Sequence, residues 1–285
     1  MLPDVLSAAL RALSFVSVFQ AAGVAIFIAI FHASLGDSLR IILRIGRVAA
    51  ILALAFVVTH LVLEASRMAG TFAGVFDLGL QERVLSSSMG ATAGLRVAGL
   101  LVLLIGLYGN GGFAQLLAVT GANLTLFSFA LIGHTSVDAD RWILAPLLLA
   151  HVLIVAFWFG ALLPLYAITL RESSVVAAKL VDRFSQIAFW LVPGILVAGI
   201  VLALFLVPGF ATLREPYGML LLAKIAGFAL LMGLAAANKW RLGPAIERGE
   251  ESGVRLFRRV VGTEYILIVA VLATTAVMTS FFSPE

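Results

Sequence analysis

The decapeptide His151–Gly160, HVLIVAFWFG, decides how the chain is read. It lies inside a longer apolar run, Trp142–Leu170, which is interrupted by no charge and by one imidazole, His151. A helix rises about 1.5 Å per residue, so about 20 apolar residues cross a hydrocarbon core of about 30 Å. Continuous apolarity without alternation excludes a transmembrane barrel strand. The run is therefore a membrane-spanning helix, and the question is what a histidine does inside it.

Working outward, similar runs recur along the chain. Of 285 residues 62% are hydrophobic and 12% charged, where soluble domains are about a quarter charged; mean hydropathy is +1.12. The pattern specifies an all-α polytopic bundle of eight spans, near Leu10–Ala33, Val48–Ser66, Gly90–Tyr108, Phe113–Gly133, Trp142–Leu170, Val181–Val207, Tyr217–Asn238 and Phe257–Phe282. It divides into two four-helix halves, 1–141 and 142–285, within one integral membrane domain. The N-terminal MLPDVLSAALRALSF carries Asp4 and no basic segment, and reads as part of a retained first span. There is no phosphate-binding GxxxxGK[ST] loop, which argues against an ATP-driven pump.

Lys and Arg fall unevenly between the two sides. Arg40, Arg44, Arg47, Arg171, Lys179, Arg183, Lys239, Arg241, Arg248, Arg255, Arg258 and Arg259 lie on one side, twelve in all, and Arg11, Arg67, Arg83, Arg141 and Arg214 on the other. The positive-inside rule places the twelve in the cytoplasm and both termini in the periplasm. The net charge of +4 is accounted for by topology and calls for no nucleic-acid partner. The longest outer connection, Arg67–Ser88, has Phe72, Phe76 and Leu80 at helical spacing, as in an amphipathic helix lying at the interface.

With no cysteine and four histidines, thiolate metal sites, Fe–S clusters and disulfides are excluded. Intramembrane polar groups are costly and mark cavities or pathways. His60, Glu64, Arg96, His134, His151 and Lys224 all fall in the outer half, from five spans. His60 lies about 20 Å above the cytoplasmic face and His151 about 15 Å below the outer one. His60, Glu64 and Met68 share one face of span two. These residues predict an outward-facing polar cavity with His60, Glu64, His134 and His151 as metal ligands. Met68, Trp158 and Lys224 support them, Lys224 as a counter-charge to Glu64. Bland readings stand beside these. Glu64 pairs with Arg67, Arg96 and Lys224 snorkel to headgroups, Trp158 is a packing residue, Gly160 a close helix contact and Asn123 an interhelical hydrogen bond. Imidazole with carboxylate and thioether suits copper, as Cu(I) or Cu(II). Zinc is chemically compatible, and haem clamped by two histidines is the rival.

From span four onward the chain resembles the CopD/PcoD family of bacterial inner-membrane copper resistance proteins. The resemblance rests on Gly133-His134, the His151-x6-Trp158-x-Gly160 run and Arg183-Phe184-Ser185. It also rests on Pro216-Tyr217-Gly218 with Lys224, Asn238-Lys239-Trp240-Arg241 and the closing Ser283-Pro284-Glu285. These cover roughly the last 155 residues. The first four spans match in hydropathy and in having a histidine in span two. The resemblance implies a non-enzymatic, multi-pass inner-membrane protein that takes copper from the periplasm, often beside a CopC-like copper-binding protein, and moves it across the membrane. The ligand positions carried over are His134 and His151. The alternatives are a haem-binding redox protein in the style of cytochrome b561, or a non-transporting partner of a periplasmic copper chaperone.

Overall fold

The computed structural model describes residues 2–132, 139–206 and 213–282. Among the described residues there are eight helical segments long and apolar enough to cross a membrane, as the hydropathy pattern predicts. In chain order the helices are α1 Leu2–Phe31, α2 Leu39–Ala69, α3 Leu78–Ser86, α4 Ser88–Tyr108, α5 Gly111–Phe127, α6 Arg141–Arg171, α7 Ser174–Leu206, α8 Pro216–Ala237, α9 Gly243–Glu247 and α10 Glu251–Phe281. A π turn, Asn238–Leu242, joins α8 to α9.

Several helices start earlier than their apolar runs. α2 begins at Leu39, so Arg40, Arg44 and Arg47 sit on helical turns rather than in a loop. α7 carries Lys179 and Arg183 on its first turns, and α10 carries Arg255, Arg258 and Arg259. Apolarity reports where a helix crosses lipid. The backbone hydrogen-bond ladder continues wherever nothing breaks it.

α1 is the organising element. It packs against α2, α4, α5, α6 and α10, and 67% of its apolar stretch is buried, against 6% for the Pro216–Glu247 segment, which lies at the periphery. The α1–α6 contact depends on absent side chains. A Cβ on Gly160 would lie 2.4 Å from the Gly23 Cα, and one on Gly23 would lie 1.8 Å from the Ala156 carbonyl oxygen. Small residues let transmembrane backbones approach where packing, not hydrophobic expulsion, drives association. Gln20 Nε2 donates to the Gly160 carbonyl at 3.2 Å across the same contact. α4 and α5 meet similarly: a Cβ on Gly106 would lie 2.3 Å from the Ala118 nitrogen.

At the end opposite the termini, one polar link joins the two halves and another ties helices within the N-terminal half. Glu172, just after α6, accepts from the Ser38 backbone N–H at 2.8 Å and from its hydroxyl at 2.7 Å. Arg47 donates to the Leu107 carbonyl through Nε at 3.0 Å and Nη2 at 2.7 Å, and its guanidinium lies over the Tyr108 ring. The Arg67–Ser88 connection is two short helices rather than one: a 3-10 turn, Phe72–Phe76, then α3. Gly70, at φ +70°, ends α2 in the left-handed conformation. The Asp77 carboxylate accepts from the Gly79 and Leu80 N–H groups and starts α3. Phe76 and Leu78 are almost fully exposed, as befits a segment at the lipid interface.

Candidate functional site

The end of the bundle that carries both termini holds a partly buried polar cluster built by α1, α2, α4, the 3-10 turn Ser128–Leu131 that follows α5, and α10. Asp4, Ser7, Arg11 and Ser14 recur at intervals of three and four along α1 and so share a face. His60, Glu64 and Arg67 do the same on α2, which runs antiparallel beside it. His60 is 9% exposed, and its Nε2 lies 3.1 Å from the Ser7 hydroxyl. Arg67 bridges the two helices, 2.7 Å from Glu64 Oε1 and 3.4 Å from Asp4 Oδ1. Glu64 Oε2 is buried with no hydrogen-bond partner. Arg11 reaches α10, donating to the Thr279 carbonyl at 2.8 Å.

Three of the bland sequence readings are thereby decided. Glu64 does pair with Arg67. Arg96 does not snorkel outward; it donates to Ser128 Oγ at 2.9 Å and its guanidinium covers the Phe129 ring at 4.1 Å. Asn123 bonds within its own helix, to the Val119 carbonyl at 2.8 Å, not across helices. Arg11, Arg67 and Arg96 all set positive charge around His60. Sequence reasoning missed Asp4, Ser7, Arg11 and Ser128. The three-and-four spacing of polar residues in α1 was the available signal, obscured by starting the first span at Leu10.

His151 lies in a different setting. Its ring is turned to the Ile195 backbone of α7 and lies within the field of Lys224 from α8, with Gly199 close beside it. Its Nδ1 is buried without a partner. Lys224 is therefore a neighbour of His151, while Arg67 supplies the counter-charge of Glu64 that the sequence assigned to Lys224. His60 faces α1 and His151 faces α7, so the two make separate sets of contacts. Among the described residues no three His, Asp or Glu side chains are grouped to hold a metal ion. His134 lies outside the described residues. Met68 is 56% exposed at the end of α2. Trp158 is buried and meets Phe228 edge-on, and Gly160 is the close helix contact described above.

A bundle with, among the described residues, eight helices long and apolar enough to span a membrane defines a multi-pass membrane protein. Residues 178–278 match the family described as copper resistance protein D, and residues 1–142 match its N-terminal domain. The chain belongs to the copper resistance protein D family. The N-terminal match extends the relationship to the first four spans, beyond the hydropathy that the sequence reading found there. The chain is 34% identical over 142 residues to copper resistance protein D of Pseudomonas syringae pv. tomato, covering 46% of this chain and 45% of the relative. The aligned part thus spans less than half the length of that relative. It is 27% identical over 251 residues to the inner membrane protein YebZ of Escherichia coli (strain K12), covering 81% of this chain and 84% of the relative. No solved structure matches.

Proposed function

We propose that the protein receives copper at the end of the bundle that carries both termini and passes it across the bacterial inner membrane. The observation that carries the proposal is the α1–α2 stripe. His60 and Glu64 stand one turn apart on one face of α2, and a buried Glu64 oxygen is left without a partner. Family membership supports copper as the cargo, and the name of the Escherichia coli relative supports the inner membrane. Outward-facing termini follow from the lysine and arginine bias.

In this reading copper meets His134 first, then His60 with Glu64 balancing charge, and His151 beside Lys224 further on. A membrane-bound acceptor of this kind takes its copper from a periplasmic CopC-like protein. The electrostatics favour the monovalent ion. Three arginines surround His60, against the carboxylates of Asp4 and Glu64, so a single positive charge is repelled less than two. Copper would take His60 through Nδ1, the Ser7 hydroxyl staying on Nε2 to orient the ring, and has to loosen Arg67 from Glu64. Inward passage beyond His151 falls to α6, α7 and α8, where Pro193 inside α7 weakens the helical ladder.

Copper titration of the purified protein tests this. A His60→Ala/His134→Ala/His151→Ala variant that still folds is expected to lose saturable Cu(I) binding, and unchanged affinity would overturn the site. An absorption spectrum tests the haem alternative, since an intense Soret band in the protein as isolated would overturn copper as the resident ligand.

A further inference from the structure

At the opposite end of the molecule from His60, a cavity of about 550 Å³ opens between α7 and α8, floored by α6 and α10. The space exists because α8 packs chiefly on α10 and on the π turn that follows it. Its walls are mostly apolar and rich in rings. Trp158, Trp190 and Trp240, three of the four tryptophans of the chain, line it with Phe184, Phe189 and Phe257. Trp190, 80% exposed at the rim, lies within the apolar membrane-crossing length of α7, so the mouth is on the side of the bundle at membrane depth, where its surroundings are lipid.

One edge is polar. The π turn carries Asn238 into the cavity wall, where its Nδ2 donates to Glu264 Oε1 at 2.8 Å. Asn238 is 9% exposed and Glu264 2%. The other polar atom of the Asn238 amide, Oδ1, is buried without any partner. A π turn at such a place is a frequent accompaniment of function. A buried, unpaired amide atom on a ring-lined cavity wants a ligand group, because leaving it unmade costs about 1–3 kcal/mol. Lys239, among the described residues the only cation lining the cavity, is already engaged, with Nζ 3.8 Å from the centre of the Phe189 ring.

We infer that this cavity binds an isoprenoid quinol, with the ring between the aromatic walls, one hydroxyl on Asn238 and the tail leaving toward lipid between α7 and α8. The occupant has to be a membrane-soluble molecule, because the opening faces lipid. The aromatic lining suits a flat ring. The size and the few convergent polar groups are those of a small-molecule site between bundle helices. A phenolic hydroxyl both donates and accepts, so it satisfies the free amide atom whichever way the Asn238 amide is turned. A phospholipid fits the polar edge less well. Its phosphate only accepts and would sit against the Glu264 carboxyl, with one already-engaged lysine as counter-charge.

Titration of the purified full chain with decylubiquinol under argon, read by tryptophan fluorescence, tests the site, because three of four indoles report on it. Wild type is expected to show saturable quenching. Asn238→Leu should weaken the apparent affinity at least tenfold. Ala188→Phe, which places a ring in the cavity and leaves Asn238 and Glu264 in the chain, should remove the saturable phase. Both variants are compared only as monodisperse, helical protein, and Ala188→Phe carries the test where Asn238→Leu does not fold. Quenching that never saturates, or that saturates equally in wild type and Ala188→Phe, overturns the proposal as simple partitioning into detergent. A phospholipid retained by wild type in native mass spectrometry, lost in Ala188→Phe and not displaced by decylubiquinol, overturns it in favour of a structural lipid.

Discussion

His60 is the residue on which the copper reading turns, and its neighbours explain both its promise and its cost. A buried imidazole needs a hydrogen-bond partner or a metal, and here the Ser7 hydroxyl lies 3.1 Å from Nε2. Such a partner fixes the ring's orientation before a metal arrives. Groups that orient a ligand rather than bind the ion typically cost about 10- to 100-fold in affinity when removed. Ser7→Ala is accordingly expected to weaken Cu(I) binding about tenfold while leaving the helical content unchanged, measured by competition with a chromogenic chelator. Affinity equal to wild type would mean that His60 binds without Ser7, or does not bind. The position of His60 on a polar face of span two was legible in the sequence, because Glu64 follows it at four residues. Its partners were not. Hydrogen bonds over a separation of 53 residues depend on which helices become neighbours, and hydropathy carries no information about that.

Among the elements, α1 and α6 meet backbone to backbone, and the reason is geometric rather than chemical. Gly23 and Gly160 let the two backbones touch, and the Gly160 carbonyl is then close enough to accept from Gln20. Gly160→Ala would drive a methyl group into the Gly23 backbone. The expected result is a loss of about 1–3 kcal/mol, the usual cost of overpacking, seen as a lower melting temperature in detergent. Gly233→Ala is the matched control, because a Cβ there meets nothing within 4 Å, and it should melt as wild type. The HVLIVAFWFG stretch thus has two roles. Gly160 secures α6 to α1, while His151, about two and a half turns earlier, points to α7. Sequence spacing identified both residues and left open that they serve different faces of the helix.

At the scale of the whole molecule, the inference is orientation. Both described chain ends lie at the end of the bundle that holds the His60 cluster, and the basic residues gather at the other. Because the chain contains no cysteine, single cysteines report cleanly. Glu82→Cys on α3 is expected to react with a membrane-impermeant maleimide in intact cells lacking an outer-membrane barrier. Glu250→Cys, before α10, should react only after permeabilisation. The reverse pattern would place the termini in the cytoplasm and the His60 cluster on the inner side, and would overturn uptake from the periplasm.

The sequence by itself determined the fold class and the eight spans, and showed which of them carry titratable side chains such as His60, Glu64 and His151. Each follows from the local cost of exposing or burying a side chain in lipid, and that cost is written residue by residue. Only the tertiary structure decided which polar residues meet. It joined Arg67 to Asp4 as well as to Glu64 and Arg96 to Ser128, gave His60 and His151 separate sets of contacts, and opened a ring-lined cavity beside Asn238 and Glu264. Those outcomes depend on how the helices turn and pack about α1, and two helices of equal hydropathy can present any face to each other until close contacts such as Gly23 on Gly160 select one.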